Sequence, residues 1–272
     1  MAPLAVPEPY DFELSTERYR VFGPDFANLW HEGGLHRVVR GHEVRIEAAH
    51  GGVDAEPLHA DIEPVVRSLL GLPFELEPFY AFAESEPVLA RLVGGLAGLR
   101  PPLAPDPFES LVTSISAQQV SLFAAFAVRN RFIERFGERA VHAFAFPRRE
   151  RVAEASVREL RSLGFSTRKA EYVVGIARSD LDLDGLRKLP DDEIRALLTA
   201  LPGIGAWTVD WFLARHLARP RAWPAGDLGL RKAVFAFYGE VDDVRGFGAR
   251  FAPFENLSAH YLLTGQRVMV PA

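Results

Sequence analysis

Helical spacing runs through Pro190-Asp-Asp-Glu-Ile-Arg-Ala-Leu-Leu-Thr-Ala-Leu201 and resumes in Ala206-Trp-Thr-Val-Asp-Trp-Phe212, with only Pro202-Gly-Ile-Gly205 between the two segments. So short a break forces the two helices into a hairpin, spanning roughly residues 191–218. Gly203 and Gly205 let the backbone turn sharply and leave no Cβ where another surface approaches. The free N–H groups opening the second helix, at the positive end of its dipole, suit an anion such as a phosphate. A bare Gly-x-Gly is weak evidence, because a capping glycine in any tight helix–helix turn looks the same. A glycine pair with a helix on each side is more specific.

Trp207 and Trp211 lie four residues apart and so share one helix face. Paired indoles are core residues in most chains. Next to a phosphate site they also form the electron-rich wall that a flipped base needs, and a cationic base gains roughly 0.5–2 kcal/mol per ring contact. Asp227, sixteen residues beyond Trp211, precedes a helical stretch and is placed to cap it, a role worth about 1 kcal/mol. That reading would win in isolation, and the combination of hairpin, helix, loop and Asp shifts the odds away from a plain cap.

Bulk properties narrow the class. The 272 residues are 48% hydrophobic and 25% charged, enough for a substantial globular core. No cysteine is present, which excludes disulfides, thiol nucleophiles and cysteine-held iron–sulfur clusters. The eight histidines show no H-x-x-x-H spacing, so no transition metal is expected. The sequence has no long apolar run and no signal-like leader, so a cytoplasmic protein without membrane contact is expected. Net charge is −5, but residues 1–90 hold 16 acids and 6 bases against 20 acids and 25 bases afterwards. That asymmetry fits an acidic part joined to a polyanion-facing part, and fits ordinary variation equally well.

Residues 10–60 read as a small antiparallel sheet, with strands around Leu35–Val39 and after Gly41, and Tyr10 to Gly23 as further short β segments. Helical spacing begins near residue 62, and Leu99 to Pro107 is a proline-rich boundary. From 107 to 137 apolar residues recur at 111, 112, 115, 122, 123, 126, 132, 133 and 136, with Gly137 as the stop. The fold class is α+β: a β-rich domain over residues 1–85 and a mainly α domain over 86–272.

The hairpin followed by a loop ending in Asp227, together with Pro107-Phe-Glu-Ser-Leu-Val-Thr-Ser-Ile-Ser-Ala-Gln-Gln-Val-Ser121, resembles the helix-hairpin-helix superfamily of DNA glycosylases, and within it the 3-methyladenine DNA glycosylase II family. The resemblance covers most of the chain. It implies that Asp227 is the catalytic carboxylate, Trp207 and Trp211 line the base pocket, and Gln119 wedges into the hole left by the flipped nucleotide. Gly203 and Gly205 would contact DNA phosphates. The carbonyls of Thr199, Leu201 and Ile204 would hold a structural Na⁺ or K⁺. Bifunctional relatives carry Lys where this chain has Trp207, so the resemblance implies a monofunctional enzyme with no cofactor for catalysis.

Departures bear on base preference. Glu255-Asn256 replace an Arg-Ser pair, Leu263 stands where relatives carry an indole, and the wedge is polar Gln119 rather than Leu.

The reading is therefore a monomeric, nucleoid-associated base-excision enzyme that binds damaged double-stranded DNA through the minor groove. It flips out an alkylated purine and hydrolyses the N-glycosidic bond. Arg129, Arg131, Arg135, Arg168 and Lys169 are candidates to follow the phosphate backbone, most of them being simply solvated. One alternative keeps the fold and excises a neutral lesion. That would need a donor or acid in the pocket, for which Tyr172, His260 and Tyr261 are candidates if they are not just buried structural groups. A second alternative is a non-catalytic damage-binding protein, against which a carboxylate near phosphates argues.

Overall fold

The computed structural model describes residues 2–269. Five strands form one antiparallel sheet: β1 (Ala2–Leu4), β2 (Asn28–His31), β3 (Gly34–Val39), β4 (His42–Ala49) and β5 (Gly52–Glu56), in the order β1-β5-β4-β3-β2. Leu35 pairs with Ile46 and Ile46 with Ala55, which puts alternate apolar residues on the packed face. The β2–β3 and β3–β4 turns, Glu32-Gly33 and Arg40-Gly41, take positive φ at both positions. That twist matches the right-handed twist of the strands, and glycine accepts it at the second position without strain.

One expectation fails before the sheet. The 10–23 segment is not β. Asp11 accepts the Leu14 N–H at 2.8 Å and caps α1 (Phe12–Thr16), followed by a 3₁₀ turn at Glu17–Tyr19. Phe12, Ser15, Thr16 and Tyr19 are buried at a spacing of three to four, a helical period that the mixed composition hides.

The rest is helical. α2 (Glu63–Leu69) covers the sheet, and its Val66 and Leu69 share a core with Leu35, Val44, Ile46 and Val53. α3 (Leu76–Ala83) and α4 (Pro87–Gly95) follow, the second capped by the Glu86 carboxylate with Pro87 in its first turn. Then come α5 (Pro107–Ala117), α6 (Leu122–Phe136), α7 (Arg149–Ala153), α8 (Val157–Ser162), α9 (Thr167–Arg178), α10 (Asp191–Thr199) and α11 (Ala206–Arg215). Helices α12 (Leu228–Tyr238), α13 (Val244–Phe247) and α14 (Glu255–Met269) complete the chain. Phe108, Ile115, Phe132, Val173, Leu198 and Phe212 centre one helical core. Phe79, Leu92, Leu230, Phe251 and Tyr261 centre a second, in which α3 and α4 meet the C-terminal helices.

The periodic stretch 107–137 is broken. Gln119 takes φ 55° between α5 and α6, and Ser121 caps α6 through the Ala124 N–H at 3.3 Å. Restarting the helix there turns Phe123 outward, 63% exposed, while Phe126 stays buried.

β3 is buried on both faces. From one, the Arg37 guanidinium grips Glu109 of α5 at 2.6 and 3.0 Å, and Arg129 of α6 joins Glu109 to Asp25. Burial alone would raise the Asp25 and Glu109 carboxyls, but Arg129 with Asn28 holds Asp25, and Arg37 with Arg129 holds Glu109, below the usual carboxylate range. Arg129 is thus sealed inside an ion network, 2% exposed, and unavailable to a phosphate. Arg135 is engaged by Glu159 at 2.9 Å, while exposed Arg131 and part-buried Lys169 donate to the carbonyls of Leu163 and Ser116. From the other face of β3, His36 bonds Glu43 at 2.8 Å, and Glu43 accepts the N–H groups of His142 and Ala143. No helix among the described residues is long and apolar enough to cross a membrane.

Candidate active site

α10, the Pro202–Gly205 turn and α11 form the expected hairpin. Its acidic first turn, Asp191-Asp192-Glu193, favours the N-terminus of α10. The two glycines serve different ends. Gly203 has φ 84°, and a Cβ there would run into the Tyr172 ring, so this glycine lets the turn close against α9. Gly205 has an ordinary extended conformation, and a Cβ there would meet nothing. It occupies the N-cap of α11 with no side chain to cap the first-turn N–H groups, and it is exposed. Those N–H groups therefore remain directed outward.

Gln118 holds this turn against α5. Its side-chain amide donates to the Gly203 carbonyl at 3.0 Å and to Thr208 Oγ1 at 3.2 Å. Sequence reasoning passed over Gln118 for its neighbour Gln119, and two adjacent glutamines gave no sign of which one faces inward. Gln119 is exposed beside the same opening.

Beyond α11 the chain loops back, pinned by the Trp223 indole N–H on the Val244 carbonyl at 2.8 Å, and ends at Asp227. Asp227 caps α12, its Oδ1 accepting the Leu230 N–H at 3.0 Å. Its other oxygen, Oδ2, accepts two indole N–H groups, from Trp207 at 2.9 Å and Trp211 at 3.0 Å. The four-residue spacing of the tryptophans thus converges both donors on one carboxylate oxygen. All three residues line a cleft of about 1000 Å³.

The tryptophans differ in what they offer that cleft. Trp207 is half-buried. Trp211 is 4% exposed, with the Arg215 guanidinium carbon 3.6 Å from its ring centroid and His260 edge-on at 5.7 Å. Both tryptophans line the cleft, but Trp211 is almost wholly buried with the guanidinium over one ring face, so what it offers the wall is chiefly its N–H.

Among the other sequence candidates, Tyr172 packs beneath Gly203. Tyr261 is fully buried in the second helical core, bonding Tyr80 and the Leu99 carbonyl, and belongs to the structure rather than the cleft. Burial, then the nearby Arg215, Arg18 and Arg267, push the His260 imidazole well below its usual range, so it is neutral and no acid at physiological pH. Leu263 lines the cleft. Glu255 pairs with Arg221, and Asn256 ties the carbonyls of Ala214 and Arg219, both away from the carboxylate. Three arginines on the cleft wall, Arg18, Arg215 and Arg267, were not singled out from sequence, where nothing separates them from solvated arginines. The rings of His31, His36 and His142 gather within 4.5–5.7 Å, yet no described His, Asp or Glu group of three could hold a metal ion.

Residues 112–243 match the family model described as HhH-GPD superfamily base excision DNA repair protein. A solved structure described as a 3-methyladenine DNA-glycosylase from Archaeoglobus fulgidus superposes over the whole of both chains with a TM-score of 0.88 and 27% identity. A Bacillus subtilis protein named DNA-3-methyladenine glycosylase is 32% identical over 64% of this chain, and the match spans 60% of that protein's length. The fold alone is also shared with a Clostridium acetobutylicum 8-oxoguanine glycosylase/lyase, at a TM-score of 0.81, 19% identity and coverage of 95% and 92% of the two chains.

Proposed function

Since this chain belongs to the HhH-GPD superfamily of base excision DNA repair proteins, we propose that it is a DNA glycosylase that hydrolyses the N-glycosidic bond of alkylated purines and leaves an abasic site. The observation that carries this reading is the Asp227 carboxylate, fixed by two indole N–H groups at the mouth of an uncapped hairpin helix.

The uncapped N–H groups at Gly205 bind a backbone phosphate of duplex DNA, where the α11 dipole favours negative charge. Thr199, Leu201 and Ile204 would hold a monovalent cation. They fit it chemically, being neutral carbonyls on one turn, and the Leu201 carbonyl spends only one lone pair on the Ile204 N–H. When bound, such an ion supplies positive charge toward a phosphate.

Gln119, held at positive φ on the exposed α5–α6 turn, fills the vacated stack as the damaged nucleotide rotates out of a duplex bound by its minor groove. Unstacking costs a few kcal/mol, least for a poorly paired lesion. In the cleft the glycosidic bond breaks, its electron pair leaves with the base, and positive charge develops on the sugar. Asp227 meets that charge already oriented, with no reorganisation at the moment of reaction. Oδ1 caps α12 and Oδ2 is clamped, so neither oxygen swings away. Water then adds to the sugar carbon and passes its proton to Asp227 or solvent. Trp207 offers its half-buried ring to the base. No amine stands at position 207 to form a Schiff base, and the lysine on the cleft wall, Lys232, is exposed on α12. The absence of an amine at position 207 supports a monofunctional enzyme.

The test is excision from methylated DNA and from duplexes carrying hypoxanthine, uracil, 1,N6-ethenoadenine or 8-oxoguanine. Methylpurine release with strand breaks only after hot alkali is the expected outcome. Breaks without alkali would overturn monofunctionality, and release of nothing would overturn the enzyme reading.

A further inference from the structure

The cleft holds hydrogen-bond donors that the mechanism above does not use. Arg215 ends α11 with its guanidinium flat over Trp211, and its Nε is buried with no partner. Among the described residues no ion pair or hydrogen bond engages the rest of the group, nor the guanidinium of Arg18 on the same wall. The contrast with Arg267 is direct, because that side chain is spent on Glu17 and the Leu263 carbonyl. Asp227 attracts Arg215 only at longer range, since its two oxygens accept from Leu230, Trp207 and Trp211 and no salt bridge between the two is found among the described residues. A guanidinium carries five donors and no acceptor. With its Nε buried and no described acceptor bonded to it, it calls for one from the ligand.

We propose that Arg215, with Arg18 beside it, is a specificity-determining residue that donates to a carbonyl oxygen on the edge of the flipped base, so that 6-oxopurines are favoured over 6-aminopurines. The proposal rests on the glycosylase reading. A 6-oxopurine brings an acceptor to these donors, whereas a 6-aminopurine brings an N–H₂ group and leaves donor facing donor. A site built to hydrogen-bond one group discriminates strongly against a ligand lacking it. Hypoxanthine and 7-methylguanine both bring that carbonyl, and 3-methyladenine does not. The donor that a neutral lesion requires is on this proposal a part-buried arginine, not Tyr172, His260 or Tyr261.

The experiment measures release of 7-methylguanine and 3-methyladenine from the same methylated DNA, and of hypoxanthine from a defined duplex, under single-turnover conditions. Arg215→Met is expected to lower the 7-methylguanine to 3-methyladenine rate ratio, and hypoxanthine release relative to 3-methyladenine, by about tenfold or more. Arg215→Lys, which keeps the charge but loses the planar fork, should fall between. An unchanged ratio, with all three bases slowed alike, would mean that Arg215 merely props Trp211 and would overturn the proposal. So would an equal loss of affinity for undamaged duplex, which would assign the guanidinium to a phosphate. If Arg215→Met does not fold, Arg18→Met carries the same ratio test. A wild-type protein that releases no base overturns the glycosylase reading and this inference together, whereas an active wild type with a lesion-independent variant overturns this inference alone.

Discussion

The indole N–H of Trp211 lies 3.0 Å from Asp227 Oδ2, and this bond makes a buried tryptophan part of the candidate catalytic group rather than part of the base-stacking surface. Trp211→Phe keeps the ring volume and removes the donor. A hydrogen bond to a charged group contributes about 1.5–3 kcal/mol, so excision should fall about ten- to a hundredfold. Single-turnover rates measure this, and lesion affinity measured alongside should change far less. An equal loss in both would assign Trp211 to binding instead.

The two hairpin glycines should separate stability from DNA binding. Gly203→Ala forces a Cβ into Tyr172 at positive φ and should destabilise the fold by more than about 1 kcal/mol. Gly205→Ala meets open space at an ordinary φ, so stability should stay within about 0.5 kcal/mol of wild type. Its added methyl stands where a phosphate would approach, and duplex affinity should drop several-fold. Thermal melts and fluorescence anisotropy test the pair, and the opposite assignment of effects would refute the placement of the anion site.

The Arg37–Glu109–Arg129–Asp25 network joins sheet to helices and is predicted to act on stability alone. Glu109→Gln leaves two buried guanidinium groups undercompensated, a change that costs about 3–5 kcal/mol. Urea unfolding followed by circular dichroism should show a lower midpoint. A midpoint equal to wild type would mean that the network contributes nothing net.

His260 makes stability depend on pH in a stated direction. Burial, then Arg215, Arg18 and Arg267, keep its folded-state pKa well below the ordinary value of 6.5. Below pH 6.5 the unfolded chain therefore binds a proton that the folded chain refuses. Stability falls as pH drops, by up to about 1.4 kcal/mol per pH unit for that one proton. His216, also depressed mainly by burial, adds a loss of the same sign. His260→Phe should flatten the stability–pH slope between pH 6.5 and 5 by up to one proton, as read from denaturation midpoints. An unchanged slope would show that His260 protonates in the folded state.

Much of this was legible because it depends on local chemistry. The hairpin follows from two glycines and a proline between periodic segments, and Asp227 was recognisable as a cap from its place before α12. Strands β3 and β4 showed their alternation and their turn. The α1 segment was misread because its buried positions, Phe12, Ser15, Thr16 and Tyr19, include two polar residues that hide the helical period. Partner choice was the harder limit. Arg129 looks like any helix-surface arginine until the sheet delivers Asp25 and the α5 helix delivers Glu109. Arg215 looks the same until the fold buries its Nε without a partner among the described residues. Which face of Trp211 is free depends on a residue one turn further along α11, and spacing alone does not say that its guanidinium will fold back.

The central claim is that Asp227 carries the chemistry, and single-turnover excision of a methylpurine by Asp227→Asn tests it most directly. Asparagine retains an oxygen for the Leu230 N–H, so α12 stays capped, but it lacks the negative charge that would meet the developing cation. The account predicts a loss of about a thousandfold or more in excision, with affinity for an abasic duplex close to wild type. Excision near the wild-type rate would contradict it and reduce Asp227 to a helix cap.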